Sequence, residues 1–183
     1  GHSYMVSLDP SMGTGGDFAA IQIFELPTFE QVGEWQHNMT PMNQQVRILQ
    51  QINKHIHDTI IEKDASATPQ IFYSMENNTI GEAALMRVMD IGEENIMGMF
   101  LSEPIRKGHR RKFRRGFNTT AKFKIDACTK FKELVESGKM KLNSQLLISE
   151  LKDFVATGLS YKAKPGQHDD LVSACLLMTR MMK

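Results

Sequence analysis

The stretch Met5–Ile23, MVSLDPSMGTGGDFAAIQI, decides how the rest of the chain is read. An apolar run enters Asp9, a glycine-rich turn holds Gly13, Gly15 and Gly16, and a β-rich segment leaves from Asp17. A short apolar run bounded by a turn is the signature of a strand buried on both faces. An acid at the end of such a strand is costly unless something offsets its charge, and a divalent cation is one way to do so.

Working outward, Tyr4–Leu8, Phe18–Leu26 and Phe29–His37 read as three strands. Their connections are too short for a crossover, so they form an antiparallel meander. Thr40-Pro41 reads as a helix start, with Thr40 as the cap, and Ile48/Leu49, Ile52, Ile56 and Ile60 give one apolar face out to about Glu62. Gln70–Met75 reads as a strand with Glu76 at its end, Thr79–Asp90 as a helix, and Asn95–Leu101 as a further strand. The crossover after strand 3 allows strand 4 to lie beside strand 1 and parallel to it, which brings Asp9 and Glu76 to one sheet edge. Later, Asn118-Thr119 caps a helix that Gly138 ends, Ser144–Phe154 reads as a short helix, and Val155–Tyr161 as a strand or extended return. The final helix opens at His168–Asp170 and buries Leu171, Ala174, Cys175 and Met178. The expected fold class is α/β: a mixed sheet with helices on both faces.

The 183 residues suit one domain, and a 41% apolar fraction is enough for a core. Gly1-His2-Ser3 resembles a cloning remnant, which leaves 4–183 as the domain. No run approaches the roughly 20 apolar residues of a membrane span. Cys128 and Cys175 fall in helical patterns as buried thiols, with no metal-site spacing, which suits a reducing compartment. The methionines, among them Met39, Met42, Met75, Met86, Met89, Met97 and Met99, read as core filling.

A net charge of +1 conceals a polarity: residues 1–104 hold 4 Lys/Arg and 14 Asp/Glu, whereas residues 105–183 hold 18 and 7. That division suits a protein that gathers cations in one region and grips a polyanion with another, although two solvated faces would give the same count. The basic excess is densest between Ser102 and Asn118, where Arg106, Lys107, Arg110, Arg111, Lys112, Arg114 and Arg115 fall within ten residues. This segment has no periodicity and reads as a mobile loop able to bind phosphates, with Phe113 and Phe117 as anchors.

Each candidate acid has two readings. Asp9, before Pro10, is a metal ligand or the cap of the turn that follows. Asp17 supports the site or ends the turn. Glu76 is a ligand or an exposed strand tip. Asp169 and Asp170 are stabilised at a helix N-terminus, by about 0.3–1 kcal/mol, with no metal needed. Two adjacent acids after His168 exceed what capping requires, so one can bind metal while the other caps. The glycine turn is not a P-loop, because no Gly-Lys-Ser/Thr follows it. An actin- or sugar-kinase-like nucleotide fold also opens with an acid, a glycine turn and a meander, but needs a longer chain.

Three segments, VSLDPSMGTGGDFAAIQIFEL, MENNTIGEAAL and GQHDDLVSACLL, closely resemble the acidic motifs of the C-terminal nuclease domain of the large terminase subunit of T-even-type tailed bacteriophages. The resemblance extends over the chain from about Tyr4. It implies an RNase H-like (resolvase-like) fold and an Mg²⁺- or Mn²⁺-dependent endonuclease that cuts concatemeric viral DNA at the start and end of packaging, by two-metal hydrolysis. It carries Asp9 and Glu76 over as metal ligands and puts the third within Asp169–Asp170, with Asp170 favoured. Asp17 and His168 carry over as supporting residues. The implied partners are double-stranded DNA, the portal, the small terminase subunit and the procapsid, in the host cell cytoplasm, with no membrane. The family's ATPase is not expected in this stretch, which has no Walker motif. A DNA-gripping module with vestigial acids is the alternative.

Overall fold

The structure is a computed structural model that describes residues 3–104, 115–157 and 160–182. Three strands open it: β1 (Ser3–Asp9), β2 (Ala19–Leu26) and β3 (Glu30–His37). Helix α1 (Met42–Lys63) crosses to β4 (Gln70–Met75), and α2 (Thr79–Ile91) leads through a 3-10 turn at Glu93–Asn95 to the two-residue β5 (Met99–Phe100). Then come α3 (Ala121–Glu136), α4 (Gln145–Lys152), a small hairpin of β6 (Phe154–Thr157) and β7 (Ser160–Ala163), and α5 (Asp170–Met181). The main sheet has the order β3-β2-β1-β4-β5. The first three strands form the expected antiparallel meander, and β1–β4 and β4–β5 are parallel.

The period-2 alternation of β1 sorts its side chains onto two cores. Val6 and Leu8 pack with Val46 and Leu49 of α1 and Ala84 and Val88 of α2. Met5 packs on the opposite face with α3, α4 and α5, and Ser7 on that face donates its hydroxyl to the Ala174 carbonyl at 2.7 Å. Strand β4 alternates in the same way, with Ile71, Tyr73 and Met75 towards α1 and α2 and Phe72 towards the other core. Because both faces are covered, β1 reads as a nearly continuous apolar run.

Helix α5 is more central than one apolar stripe suggests. Leu171, Val172, Ala174, Cys175, Leu176, Leu177 and Met178 are all buried, because α5 lies against β1 and β2 on one side and α3 and α4 on the other. Cys175 is buried and Cys128 half-buried, both as free thiols.

Several boundaries differ from the sequence reading for identifiable reasons. Pro41, not Thr40, stands at the N-cap of α1 and makes no side-chain cap, while the Thr40 hydroxyl bonds His37 Nδ1 at 2.8 Å. Thr120, not Thr119, caps α3 by accepting from Phe123 N–H. The strand expected over Asn95–Leu101 shrinks to Met99–Phe100: Gly98 adopts φ +109° and lies so close to β4 that a Cβ there would stand 2.6 Å from the Ile71 carbonyl oxygen. Met75 is in the core, but Met39, Met86, Met89, Met97 and Met99 are exposed, those of α2 on the side opposite Ala84 and Val88. No described helix is long and apolar enough to cross a membrane.

Candidate metal centre

The β1–β4 register sets the frame. Leu8 pairs with Met75, and Glu76 N–H donates to the Leu8 carbonyl at 3.2 Å. Asp9 and Glu76 therefore end neighbouring parallel strands. Continuing the pleat puts Asp9 on the face of Met5 and Ser7, and Glu76 on the face of Phe72, the side covered by α5.

The glycine-rich connection, residues 10–18, is longer than a tight hairpin and is pinned to α1. Buried Gln45 accepts from Ser11 N–H at 3.2 Å and donates to the carbonyls of Ser11 and Thr40, each at 2.8 Å. Gly13, at φ +72°, would drive a Cβ to 2.2 Å from the Thr40 carbonyl oxygen, so this close approach requires glycine. Beyond the turn, Phe18 N–H donates to Asp170 Oδ2 at 3.3 Å, and the Phe18 ring meets His168 edge-on at 4.9 Å. The result is a group in which the ligand atoms of Asp17, His168 and Asp170 lie within 4.8 Å of one another.

Asp170 is the first residue of α5 and is 8% exposed. Its neighbour faces elsewhere: Asp169 Oδ2 accepts from Ala163 N–H of β7 at 3.3 Å. Glu150 of α4 satisfies two of the free N–H groups of the helix start, accepting from Leu171 at 3.0 Å and Val172 at 3.2 Å.

Electrostatically these acids act on one another. Burial pushes the Asp9 carboxyl well above the ordinary range, and Asp170, Glu76, Asp169 and Asp17 push it further. Burial likewise raises Asp170 to about 6; Asp169 and Asp17 add to this, against the Phe18 hydrogen bond and the charge of His168. Glu150 is raised to about 7, first by burial, then by Asp170 and Asp169, with its two backbone bonds opposing. The leading influences on Asp9 are thus all of one sign. The carboxylate oxygens of Asp17 and Asp170 with the His168 imidazole fit Mg²⁺ or Mn²⁺ in donor chemistry; Asp9 and Glu76 end the neighbouring strands and are not part of that 4.8 Å group.

Glu76 is set differently. Its Oε1 accepts from Thr119 N–H at 2.7 Å and its Oε2 from Thr119 Oγ1 at 2.6 Å. Burial raises its pKa, while the Thr119 bonds and Arg180 oppose that rise. Sequence reasoning missed Thr119, taken for a helix cap, and Arg180, which lies at the far end of α5. It also missed Gly81: a Cβ there would stand 1.7 Å from the Glu76 carbonyl oxygen, so the start of α2 can seat against Glu76 only without a side chain. A glycine in the first turn of a helix, where it costs propensity, was the available signal.

Of the basic segment, Arg106, Lys107, Arg110, Arg111, Lys112 and Arg114 lie outside the described residues, as does Phe113. Arg115 pairs with Glu93 and lies over the Phe100 ring, 5.2 Å from its centroid. The Arg115 carbonyl accepts from Asn77 Nδ2 at 2.7 Å, which ties the end of the segment to the residue after Glu76.

Comparison with known proteins adds to this geometry. Residues 6–181 match the family model described as "Terminase RNaseH-like domain". Among solved structures, the chain is similar to the large terminase nuclease of thermophilic phage G20c with bound magnesium: TM-score 0.64, 17% identity, 97% of this chain and 80% of that one covered. It is also similar to the human cytomegalovirus terminase nuclease domain, manganese-soaked and inhibitor-bound: TM-score 0.67, 14% identity, 99% and 83% covered. For the Thermus phage P74-26 large terminase nuclease domain the values are 0.59, 17%, 96% and 77%. These likenesses establish an RNase H-like mixed α/β fold.

Proposed function

The chain belongs to the terminase RNase H-like domain family, and from that premise we propose that it is a metal-dependent DNA endonuclease that cuts concatemeric viral DNA at the initiation and termination of genome packaging. The observation that carries this reading is geometric: the ligand atoms of Asp17, His168 and Asp170 lie within 4.8 Å of one another, and Asp9 and Glu76 end the neighbouring parallel strands β1 and β4. The metal-bound state of the G20c relative and the manganese soak of the cytomegalovirus relative support the same class of ligand here.

In this reading Asp9, Glu76 and Asp170 hold the metal, Mg²⁺ or Mn²⁺. When bound, two such ions supply charge neutralisation on the scissile phosphate and activation of water. The chain's own contribution is position. Strand pairing fixes Asp9 against Glu76, and the Phe18 N–H fixes the Asp170 carboxylate. Asp17 and His168 line the open side and orient whatever the acids hold. Of the adjacent pair, Asp170 takes the ligand role, because it is the one whose carboxylate groups with Asp17 and His168. Arg106–Arg115 supplies phosphate-binding charge, by charge density alone. The working partners are double-stranded DNA and, at the portal of a procapsid in the host cytoplasm, the small terminase subunit.

Plasmid nicking with Mg²⁺, with Mn²⁺ and with chelator tests the proposal. Nicking in either ion that stops with chelator is expected. Salt-sensitive DNA binding with no nicking in any ion would replace it with the second reading, a DNA-gripping module, which the basic density of 106–115 favours.

A further inference from the structure

One residue engages both oxygens of Glu76, and that residue is itself held from behind. Arg180 Nη1 donates to the Asn118 carbonyl at 2.8 Å and reaches Thr119 Oγ1 at 3.3 Å. The Arg180 side chain is only 10% exposed. Its guanidinium lies over the rings of Phe117 and Phe123, 5.3 and 4.5 Å from their centroids, and pairs with Glu103. Backbone bonds fasten the same segment to the end of β4: Phe117 N–H donates to the Met75 carbonyl at 3.2 Å, and Asn77 N–H to the Phe117 carbonyl at 2.7 Å.

The proton bookkeeping gives this arrangement a direction. A guanidinium only donates. Thr119 Oγ1 therefore accepts from Arg180, and its own proton is left to point at Glu76 Oε2. The Thr119 N–H takes the other oxygen, so the carboxylate plane is fixed by two donors from one residue. An ionised carboxylate offers about four lone-pair sites. Two are engaged, and the others remain for a cation.

We infer that Thr119 is a positioning residue for Glu76: it fixes the carboxylate in one orientation so that its unengaged lone pairs are presented to a divalent cation, with Arg180 setting the direction of the Thr119 hydroxyl proton. The inference rests on the proposed ligand role of Glu76. Outer partners that orient metal-binding side chains are worth roughly 10–100-fold in metal affinity when removed.

The test is calorimetric titration of Mn²⁺ into the DNA-free protein, with thermal melting as the check on folding. Thr119→Val removes the hydroxyl at nearly constant shape, Thr119→Ser keeps it, and Thr119→Ala is a second hydroxyl-free variant should the valine protein not fold. The expected result is Mn²⁺ binding weakened about tenfold or more in the hydroxyl-free variant and restored to within a few-fold by serine. Wild-type affinity in a folded hydroxyl-free variant, with binding lost in Glu76→Gln, would overturn the positioning role alone. Failure of serine to restore binding would overturn it too, by assigning the effect to the methyl group. Unchanged affinity in folded Glu76→Gln would instead remove the ligand role on which the inference rests.

Discussion

Asp9 and Glu76 end adjacent parallel strands, yet their surroundings differ. Around Asp9 the neighbouring charges are acids, and they raise its pKa along with burial. Around Glu76 burial raises the pKa and Glu103 adds to it, but two donors from Thr119 and the charge of Arg180 oppose that rise. The Asp9 flank carries an electrostatic demand that a cation from solution can meet. At the Glu76 flank the Thr119 bonds and Arg180 offset part of the effect of burial, and the Thr119 bonds give a fixed orientation. A site assembled this way separates attraction of a cation from aim, and each flank should respond differently to the same kind of perturbation.

The largest expected effect follows from neutralising the repelled flank. Asp9→Asn should reduce nicking to background while the metal-free protein melts at or above the wild-type temperature, because a buried like-charge contact is relieved. Full cleavage by the folded variant, or a clear loss of metal-free stability, breaks the contrast. Within the same flank, Asp170→Asn should cost far more nicking activity than Asp169→Asn, whose side chain bonds the Ala163 N–H; equal losses from the two would show that both acids serve the metal.

A smaller effect, on the other flank, tests orientation. Gly81→Ala should destabilise by about 1–3 kcal/mol, as overpacking does, and should lower nicking as well, since the new methyl can be housed only by parting the start of α2 from the Glu76 backbone. Denaturant melts and nicking rates read the two effects separately. Loss of stability with full nicking would uncouple that packing from the site.

The smallest effect is on pH dependence. Asp170 at about 6 and Glu150 at about 7 lie above their unfolded values, so the folded protein holds protons that the unfolded chain releases. Their contribution to stability is fully present below the unfolded carboxylate range and is lost as pH rises through about 6 to 7. In chelator the melting temperature should therefore fall between pH 5 and pH 8. With excess Mn²⁺, which competes with protons for the same oxygens, that decline should flatten or reverse. A flat profile in chelator would mean that neither burial nor the neighbouring acids raise these two carboxyls.

Much of this was legible in the sequence. The meander, the parallel placement of β4 and the shared edge of Asp9 and Glu76 follow from strand periodicity and connection length, because register is set by which faces are buried. The helix start at Asp170 was also legible, since two acids before an apolar helical stripe mark it, and the structure brings Asp170 beside Asp17 and His168. Thr119 was hidden by an ambiguity: Asn-Thr-Thr before a helix offers three capping residues, and only packing selects Thr120 for the helix and frees Thr119 for Glu76. Arg180 was hidden because a lone basic residue in the last turn of a helix already has a sufficient explanation in the helix dipole. The separate surroundings of Asp169 and Asp170 depend on a hairpin, β6–β7, which the sequence showed only as an extended stretch.

Helix α5 carries Asp170 in its first turn and Arg180 in its last. It thus functions as a ruler, its two marks roughly 15 Å apart at 1.5 Å per residue. Its length is also a matter of phase: one residue inserted between the marks would rotate one end about 100° relative to the other. Either Asp170 would leave the Phe18 N–H or Arg180 would leave Thr119. The residue count between positions 170 and 180 is therefore held by the contacts at both ends of this helix, to Phe18 at one and to Thr119 at the other.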